Sequence, residues 1–93
     1  MYDLTAFQRD LLYAAAGHDN PHGLALKTEL DEYYGDKVNH GQLYPNLNDL
    51  VEKGLLEKSE LDKRTNSYSL TSRGRREINA RRNWENQYLE SDS

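Results

Sequence analysis

The chain has 93 residues, no cysteine, 30% charged side chains and a formal net charge of -4. That length corresponds to one domain with a modest core, which a partner chain would help to stabilise, and the missing cysteines exclude disulfides and thiolate metal sites. No apolar run approaches a membrane span, and the start Met1-Tyr2-Asp3-Leu4 lacks the basic segment and long apolar core of a signal peptide, so the cytoplasm is the expected location and no membrane partner is expected.

Residues 5–16 read as a first helix. Thr5 and Gln8 have capping-box spacing, and Phe7, Leu11, Leu12, Ala14 and Ala15 recur at helical period. The apolar residues cover more than one side, which fits a central helix touched by several neighbours or one that also meets another subunit. Gly17 ends it, and Asp19-Asn20-Pro21-His22-Gly23 is a turn. A second helix spans about residues 24–34. Leu24, Leu26, Leu30 and Tyr33 or Tyr34 offer its buried stripe, and Glu29, Asp31 and Glu32 its exposed side.

A third helix spans about residues 40–53, with Asn39 and Gln42 at capping-box spacing and Leu43, Leu47 and Leu50 as an i, i+4, i+7 series. Pro45 conflicts with a regular helix, because it lacks an N–H and crowds the preceding turn. Either the regular helix begins near Tyr44 with Pro45 as its first residue, or Gly41 leaves room for a mild kink; the favoured resolution is a loose or tightened first turn with the regular helix after Pro45. Gly54 is the natural end. Residues 55–61 then read as a strand anchored by Leu56 and Leu61, Asp62-Lys63-Arg64-Thr65-Asn66 as a hairpin tip, and residues 67–70 as the return strand, with Tyr68 and Leu70 on one face. Thr71 or Ser72 caps a final helix to about Leu89, and Asp92 and Ser93 are expected to fray.

Helix, strand, basic turn, strand, helix is the order of a winged helix. The expected fold is mainly α with a two-stranded β wing: a winged helix-turn-helix over residues 1–71, and an added C-terminal dimerisation helix over 72–93. That last helix carries Ala80, Trp84 and Tyr88 as one stripe, with Ile78 and Leu89 near a second. The stripe either docks on the chain's own first helix or packs against a second subunit.

Charge is unevenly distributed. Residues 1–60 balance to -6 and residues 83–93 to -3, whereas Lys63, Arg64, Arg73, Arg75, Arg76, Arg81 and Arg82 against Asp62 and Glu77 give 61–82 a balance of +5. Such a block suits phosphate, although a solvated helix face with internal ion pairs has the same composition.

Residues 43–74 resemble the PadR-like family of winged helix-turn-helix transcription regulators. The resemblance rests on Leu43-Tyr44-Pro45-Asn46-Leu47 with Leu50, on Glu52-Lys53-Gly54-Leu55, and on Arg64, Tyr68, Leu70-Thr71 and Gly74. His22-Gly23 and the apolar first helix extend it over essentially the whole chain. Thr5-Ala6-Phe7-Gln8-Arg9-Asp10-Leu11-Leu12 and Asp62-Lys63-Arg64-Thr65-Asn66 resemble the short members of halophilic archaea and their viruses. The resemblance implies a homodimer formed largely through the last helix, sometimes helped by the first. It also implies a recognition helix in the major groove of a pseudo-palindromic operator on double-stranded DNA, with Tyr44 at the DNA face. Some members respond to phenolic acids, drugs or stress. With a single short helix after the wing, as in the small members, no large effector domain is expected; a small pocket at the dimer seam stays open, and any small-molecule effector is unknown.

The candidate DNA-contacting residues are therefore His40, Gln42, Tyr44, Asn46 and Asn48 on the third helix, Lys63 and Arg64 on the wing, Lys27 and Thr28 on the second helix, and Arg73 at the start of the last. Amide side chains donate and accept toward base edges, and a basic hairpin tip contacts phosphate or the minor groove. Tyr44 also reads as a core tyrosine with a surface hydroxyl, and Asn46 and Asn48 as ordinary solvated residues. Phe7, Leu11, Ile78, Trp84, Tyr88 and Leu89 are the candidate dimer residues. His18, His22 and His40 form no metal motif, no phosphate loop or catalytic arrangement is present, and no enzyme, cofactor or metal is expected. The expected function is a sequence-specific regulator, a repressor on an inverted repeat at high salt. The alternatives are a winged-helix protein-interaction module or a weakly specific architectural DNA-binding protein.

Overall fold

Four helices and a two-stranded antiparallel sheet follow one another along residues 1–89, which a computed structural model describes; the expected fraying of Asp92 and Ser93 lies outside the described residues. Helix α1 (Ala6–Ala16) starts on a complete capping box, in which Thr5 Oγ1 accepts the Gln8 N–H at 3.1 Å and Gln8 Oε1 accepts the Thr5 N–H at 3.3 Å. Leu11, Leu12 and Ala15 are buried. α1 is central: it touches the three other helices and the second strand of the sheet.

Helix α2 (Gly23–Tyr34) is capped by His22, whose Nδ1 accepts the Ala25 N–H at 2.9 Å. Its buried stripe is Leu26 and Leu30, extended by Val38 in the following connection. Leu24 and Tyr33 are not part of it: they are 50% and 77% exposed. Tyr34 instead packs on α1, its ring centroid 6.4 Å from that of Phe7 and its hydroxyl donating to Asp10 Oδ2 at 2.6 Å.

Asp31 staples the end of α2 to the next helix. Its carboxylate accepts the Lys27 ammonium at 2.8 Å and the Val38 N–H at 2.7 Å. Lys27 first, then the Val38 amide, hold the carboxyl below its ordinary value of 3.8. A carboxyl depressed in the folded state stabilises the fold fully above 3.8 and loses that contribution as pH falls through the lower folded value. Asp31→Asn is therefore expected to melt below the wild type near neutrality, with the gap closing as pH drops below 3.8. Thermal melts between about pH 2 and 7 measure it, and a gap independent of pH contradicts it.

Helix α3 (His40–Glu52) begins at His40, with Asn39 Oδ1 accepting the Gln42 N–H at 2.8 Å. The expectation that regular helix starts only after Pro45 is corrected: Pro45 lies inside the helix. Leu43 is fully buried, so the first turn is held by a cap on one side and core packing on the other. Pro45 itself is on the exposed side. The Asn46 Nδ2 group donates to Gln42 O at 2.7 Å and braces the turn that the proline interrupts.

Gly54, at φ +77°, then reverses the chain. Its N–H donates to Val51 O, and the Leu55 N–H to Leu50 O, the paired bonds of a Schellman motif. Leu55 and Leu56 are buried as the chain enters β1 (Leu56–Asp62).

β1 pairs with β2 (Thr65–Leu70) from Leu56↔Leu70 to Glu60↔Asn66, and the register shifts before Asp62↔Thr65. Leu61 falls in that irregularity and is 53% exposed, so it is not the expected anchor. The tip is shorter than five residues: Lys63 and Arg64 alone make the turn, and the Arg64 N–H donates to Asp62 Oδ1 at 2.9 Å. That amide bond holds the Asp62 carboxyl below its ordinary value.

β2 is buried on both faces at Ser67 and Tyr68, rather than alternating simply at Tyr68 and Leu70. The cause is at its other edge, where His22 bridges Ser67 and the Tyr68 N–H donates to Pro21 O at 2.8 Å. The loop before α2 thus covers an otherwise open strand edge. Burial also pushes the Tyr68 hydroxyl pKa up.

Helix α4 (Ser72–Leu89) starts behind Thr71, whose Oγ1 accepts the Gly74 N–H at 2.9 Å and donates to Gly54 O at 2.7 Å. Gly74 and Ile78 are buried, whereas Trp84, Tyr88 and Leu89 are 49%, 68% and 78% exposed. Beyond Ile78 the helix keeps partial contact with the body: Arg81 and Glu85 are half-buried and Trp84 borders a shallow pocket with Met1 and Tyr2, while Tyr88 and Leu89 project.

Candidate nucleic-acid interface

Helix α3 turns Leu43, Leu47 and Leu50 inward, so the remaining positions divide by angle around the helix. Gly41, Gln42, Pro45, Asn48 and Glu52 form the exposed outer face. Tyr44 lies on the flank toward α2 and the wing, half-buried, and Asn46 and Asp49 lie on the flank toward α1.

Tyr44 is the centre of the first flank. Its ring packs directly over Gly23, the first residue of α2; a Cβ there would stand 2.8 Å from Tyr44 Cε1 and 2.9 Å from its hydroxyl oxygen. The absence of a side chain at position 23 thus seats the ring. Tyr44 opens into a cleft of about 240 Å³ whose walls also include His22, Leu24, Arg64 and Asn66. His40 stands edge-on to Tyr44, with ring centroids 5.9 Å apart. Recognition-helix tyrosine, wing arginine and the N-terminal end of α2 thus converge, although 20 residues separate Tyr44 from Arg64 and 21 from Gly23 in sequence. The N-terminus of a helix carries partial positive charge, which adds to that of Arg64.

The structure places the other sequence candidates less uniformly. Gln42 and Asn48 are exposed on α3, and Lys63 is exposed at the wing tip. Asn46 turns inward: its Oδ1 accepts from Gln8 Nε2 at 3.0 Å, and its Nδ2 bonds to Gln42 O. Each end of the amide has a partner within the chain, Gln8 on the partly buried side and Gln42 O at the exposed surface, so Asn46 offers the outer face less than a free amide would. Lys27 pairs with Asp31 at 2.8 Å, Thr28 Oγ1 donates to Leu24 O at 3.0 Å, and neither lines the cleft.

Arg73 lies at the opposite end of the wing from Arg64, with its guanidinium near Gly54. The six residues of β2 put about 20 Å between tip and base. The basic block of 61–82 is thus not one patch in space. It separates into a tip (Lys63, Arg64) and a base (Arg73, Arg75, Arg76), while Arg81 turns to Glu85 at 3.1 Å and to the Trp84 ring at 4.6 Å.

Of the candidate dimer residues, Leu11 and Ile78 are enclosed in the chain's own core, and Phe7 is half-buried against it. Trp84 and Tyr88 meet edge-to-face at 5.1 Å and, with Leu89, remain exposed.

Sequence reasoning missed two contributors. His22, read only as part of a turn, caps α2 beside the cleft. Gln8, read only as a cap, reaches across to α3. The signal for Gln8 was present in its chemistry, since a capping box uses the amide oxygen and leaves two N–H donors in an otherwise apolar neighbourhood.

A three-helix unit with a paired wing, a polar recognition-helix face and a basic wing tip is a winged helix-turn-helix protein with a C-terminal helix added. The sequence places it further: the profile of the PadR-like transcriptional regulator family matches residues 11–80, and the chain belongs to that family, a family of regulators rather than enzymes. Among solved structures it is similar to the hsRosR-S1 complex, at 54% identity over 98% of this chain and 80% of that one, with a TM-score of 0.93. It is equally similar to H. salinarum RosR grown from NaBr, at 54% identity over 98% of this chain and 82% of that one, with a TM-score of 0.92. A 54-residue stretch is 37% identical to the transcriptional activator GvpE of Haloferax mediterranei, covering 58% of this chain and 28% of that activator.

Proposed function

We propose that this chain is a sequence-specific, double-stranded DNA-binding transcriptional regulator that acts as a homodimer, and as a repressor, on an inverted-repeat operator at high salt. The observation that carries the reading is the convergence of Tyr44, Arg64 and the start of α2 on one cleft beside the polar outer face of α3. Such a site suits a duplex edge: the helix N-terminus and Arg64 face phosphate, and Gln42 and Asn48 face base edges. Tyr44 reaches phosphate through its hydroxyl or a thymine methyl through its ring.

The exposed Trp84, Tyr88 and Leu89 on the outer half of α4 support the homodimer, because clustered exposed apolar side chains mark interaction surfaces. The likeness to H. salinarum RosR supports a high-salt setting. Molar salt removes most of the counterion gain of phosphate contacts, so polar and methyl contacts and DNA shape carry the specificity. Occupancy of the operator makes repression the expected sign; the weaker likeness to an activator makes activation the outcome a promoter reporter distinguishes. Among the described residues, no helix is long and apolar enough to cross a membrane.

The test is selection from a genomic fragment library by the purified chain in about 2 M KCl. Enrichment of a short inverted repeat is the expected result. No selective binding at high or low salt by a folded protein overturns the reading and favours a protein-interaction module. Once a site is in hand, Lys63→Gln combined with Arg64→Gln is expected to weaken binding uniformly across sequences, by about 10-fold, as loss of phosphate contacts does. Fluorescence anisotropy on the operator and on scrambled duplexes measures this, and a loss confined to the operator contradicts the assignment.

A further inference from the structure

Gln8 is one of two polar side chains that the fold buries among the described residues, at 6% exposure. Its amide oxygen completes the capping box of α1. Its amide nitrogen does something a cap does not need: it crosses to α3 and donates to Asn46 Oδ1 at 3.0 Å and to Asp49 Oδ2 at 2.8 Å. Both donors and the acceptor are engaged. Asn46 passes the constraint on through its bond to Gln42 O, and Asp49 is also 3.5 Å from Lys53 Nζ. One buried side chain of the central helix therefore grips the recognition helix at two positions almost a turn apart.

We propose that Gln8 is a positioning residue for α3 that sets the sequence preference of the DNA contact by controlling which polar groups the helix offers. The proposal rests on the DNA-binding reading and deepens it. With Gln8 in place, the Asn46 oxygen is taken up, and Gln42 and Asn48 face the groove without it. Released from Gln8, that oxygen is a free acceptor beside the second N–H of Nδ2, whose first stays on Gln42 O, and the two form a donor–acceptor pair of the kind that reads adenine. Glutamine is the residue that fits both duties. A glutamate at this position keeps the cap but faces Asp49 with a second carboxylate and donates nothing to Asn46. A lysine keeps donors toward α3 but has no acceptor for the Thr5 amide.

That asymmetry supplies the test. Wild-type chain, Gln8→Glu and Gln8→Lys are each used to select from a randomised duplex library in high KCl, with melting temperatures recorded beside them. Gln8→Glu is expected to change the relative preference at one or two operator positions by about 10-fold. Gln8→Lys is expected to keep the wild-type order of preference while losing stability from the cap. Should Gln8→Glu not fold, Gln8→Met removes the donors without adding charge and is read the same way. A further Asn46→Ala change is expected to cancel the altered preference. If the wild-type chain selects a site and Gln8→Glu, or Gln8→Met in its place, keeps the same order of preference, weakened uniformly, the positioning role is overturned and the operator reading stands. If the wild-type chain selects nothing, the DNA reading fails and this proposal fails with it.

Discussion

Tyr44→Ala is expected to abolish operator selection, with a loss of about 100-fold in affinity, or roughly 2–3 kcal/mol, the scale of a central recognition contact. Tyr44 joins the recognition helix to both α2 and the wing. Truncation removes its hydroxyl and methyl-contacting ring, and it also empties the seat over Gly23. Tyr44→Phe separates these effects. The phenyl ring keeps the contact with Gly23, so a variant that binds nearly as well assigns the energy to ring packing, and one that fails like alanine assigns it to the hydroxyl. Binding titrations on the selected operator, with circular dichroism to establish folding, measure both. A folded Tyr44→Ala chain with wild-type affinity removes Tyr44 from the interface.

The second large effect is on stability. Gly74→Ala is expected to destabilise the chain by about 3 kcal/mol, at the upper end for forcing a methyl group into a packed site. For a domain of this length that corresponds to roughly 12–24 °C in melting temperature. A Cβ at position 74 would overlap the Leu55 carbonyl oxygen and stand 2.7 Å from Leu70 Cδ1. Leu70 Cδ1 is the end of a flexible side chain, but the Leu55 backbone does not move readily. Its N–H is bonded to Leu50 O, and its carbonyl accepts the Thr71 N–H at 3.1 Å. Relief therefore requires α4 to lift from the base of the wing, carrying Trp84 and Tyr88 with it. Calorimetry or thermal melts test this. A shift under about 3 °C, less than 1 kcal/mol, would show that the junction is looser than the structure indicates. Gly74→Ala is also expected to weaken self-association, because the outer half of α4 is re-aimed.

The junctions of this fold were legible in the chain because local chemistry determines them. Thr5 with Gln8, Asn39 before Gln42, Gly54 before Leu55-Leu56 and Thr71 before α4 each satisfy or end a helix with atoms a few residues away. Leu43, Leu47 and Leu50 identify the inner face of α3 by period alone, and the order of elements follows from there. The family resemblance added Tyr44, whose place beside Arg64 no spacing rule would reveal.

The errors share one cause: each concerned a residue whose surroundings come from elsewhere in the chain. Leu24, Tyr33 and Leu61 are apolar but exposed, because packing partners, not hydropathy, decide burial. Pro45 is held in a helix by the cap before it and the core beneath it. The basic block is contiguous in sequence but split by the length of a strand. Asn46 has the chemistry of a base-reading residue, yet Gln8, 38 positions away, takes up its oxygen. The sequence by itself determined the elements, the caps of α1, α3 and α4 and the inward faces of α1 and α3, because these depend on interactions within a turn or two. Only the tertiary structure decided which polar side chains of α3 remain free, because hydrogen-bond donors and acceptors are claimed by whichever partner the packing brings within about 3 Å.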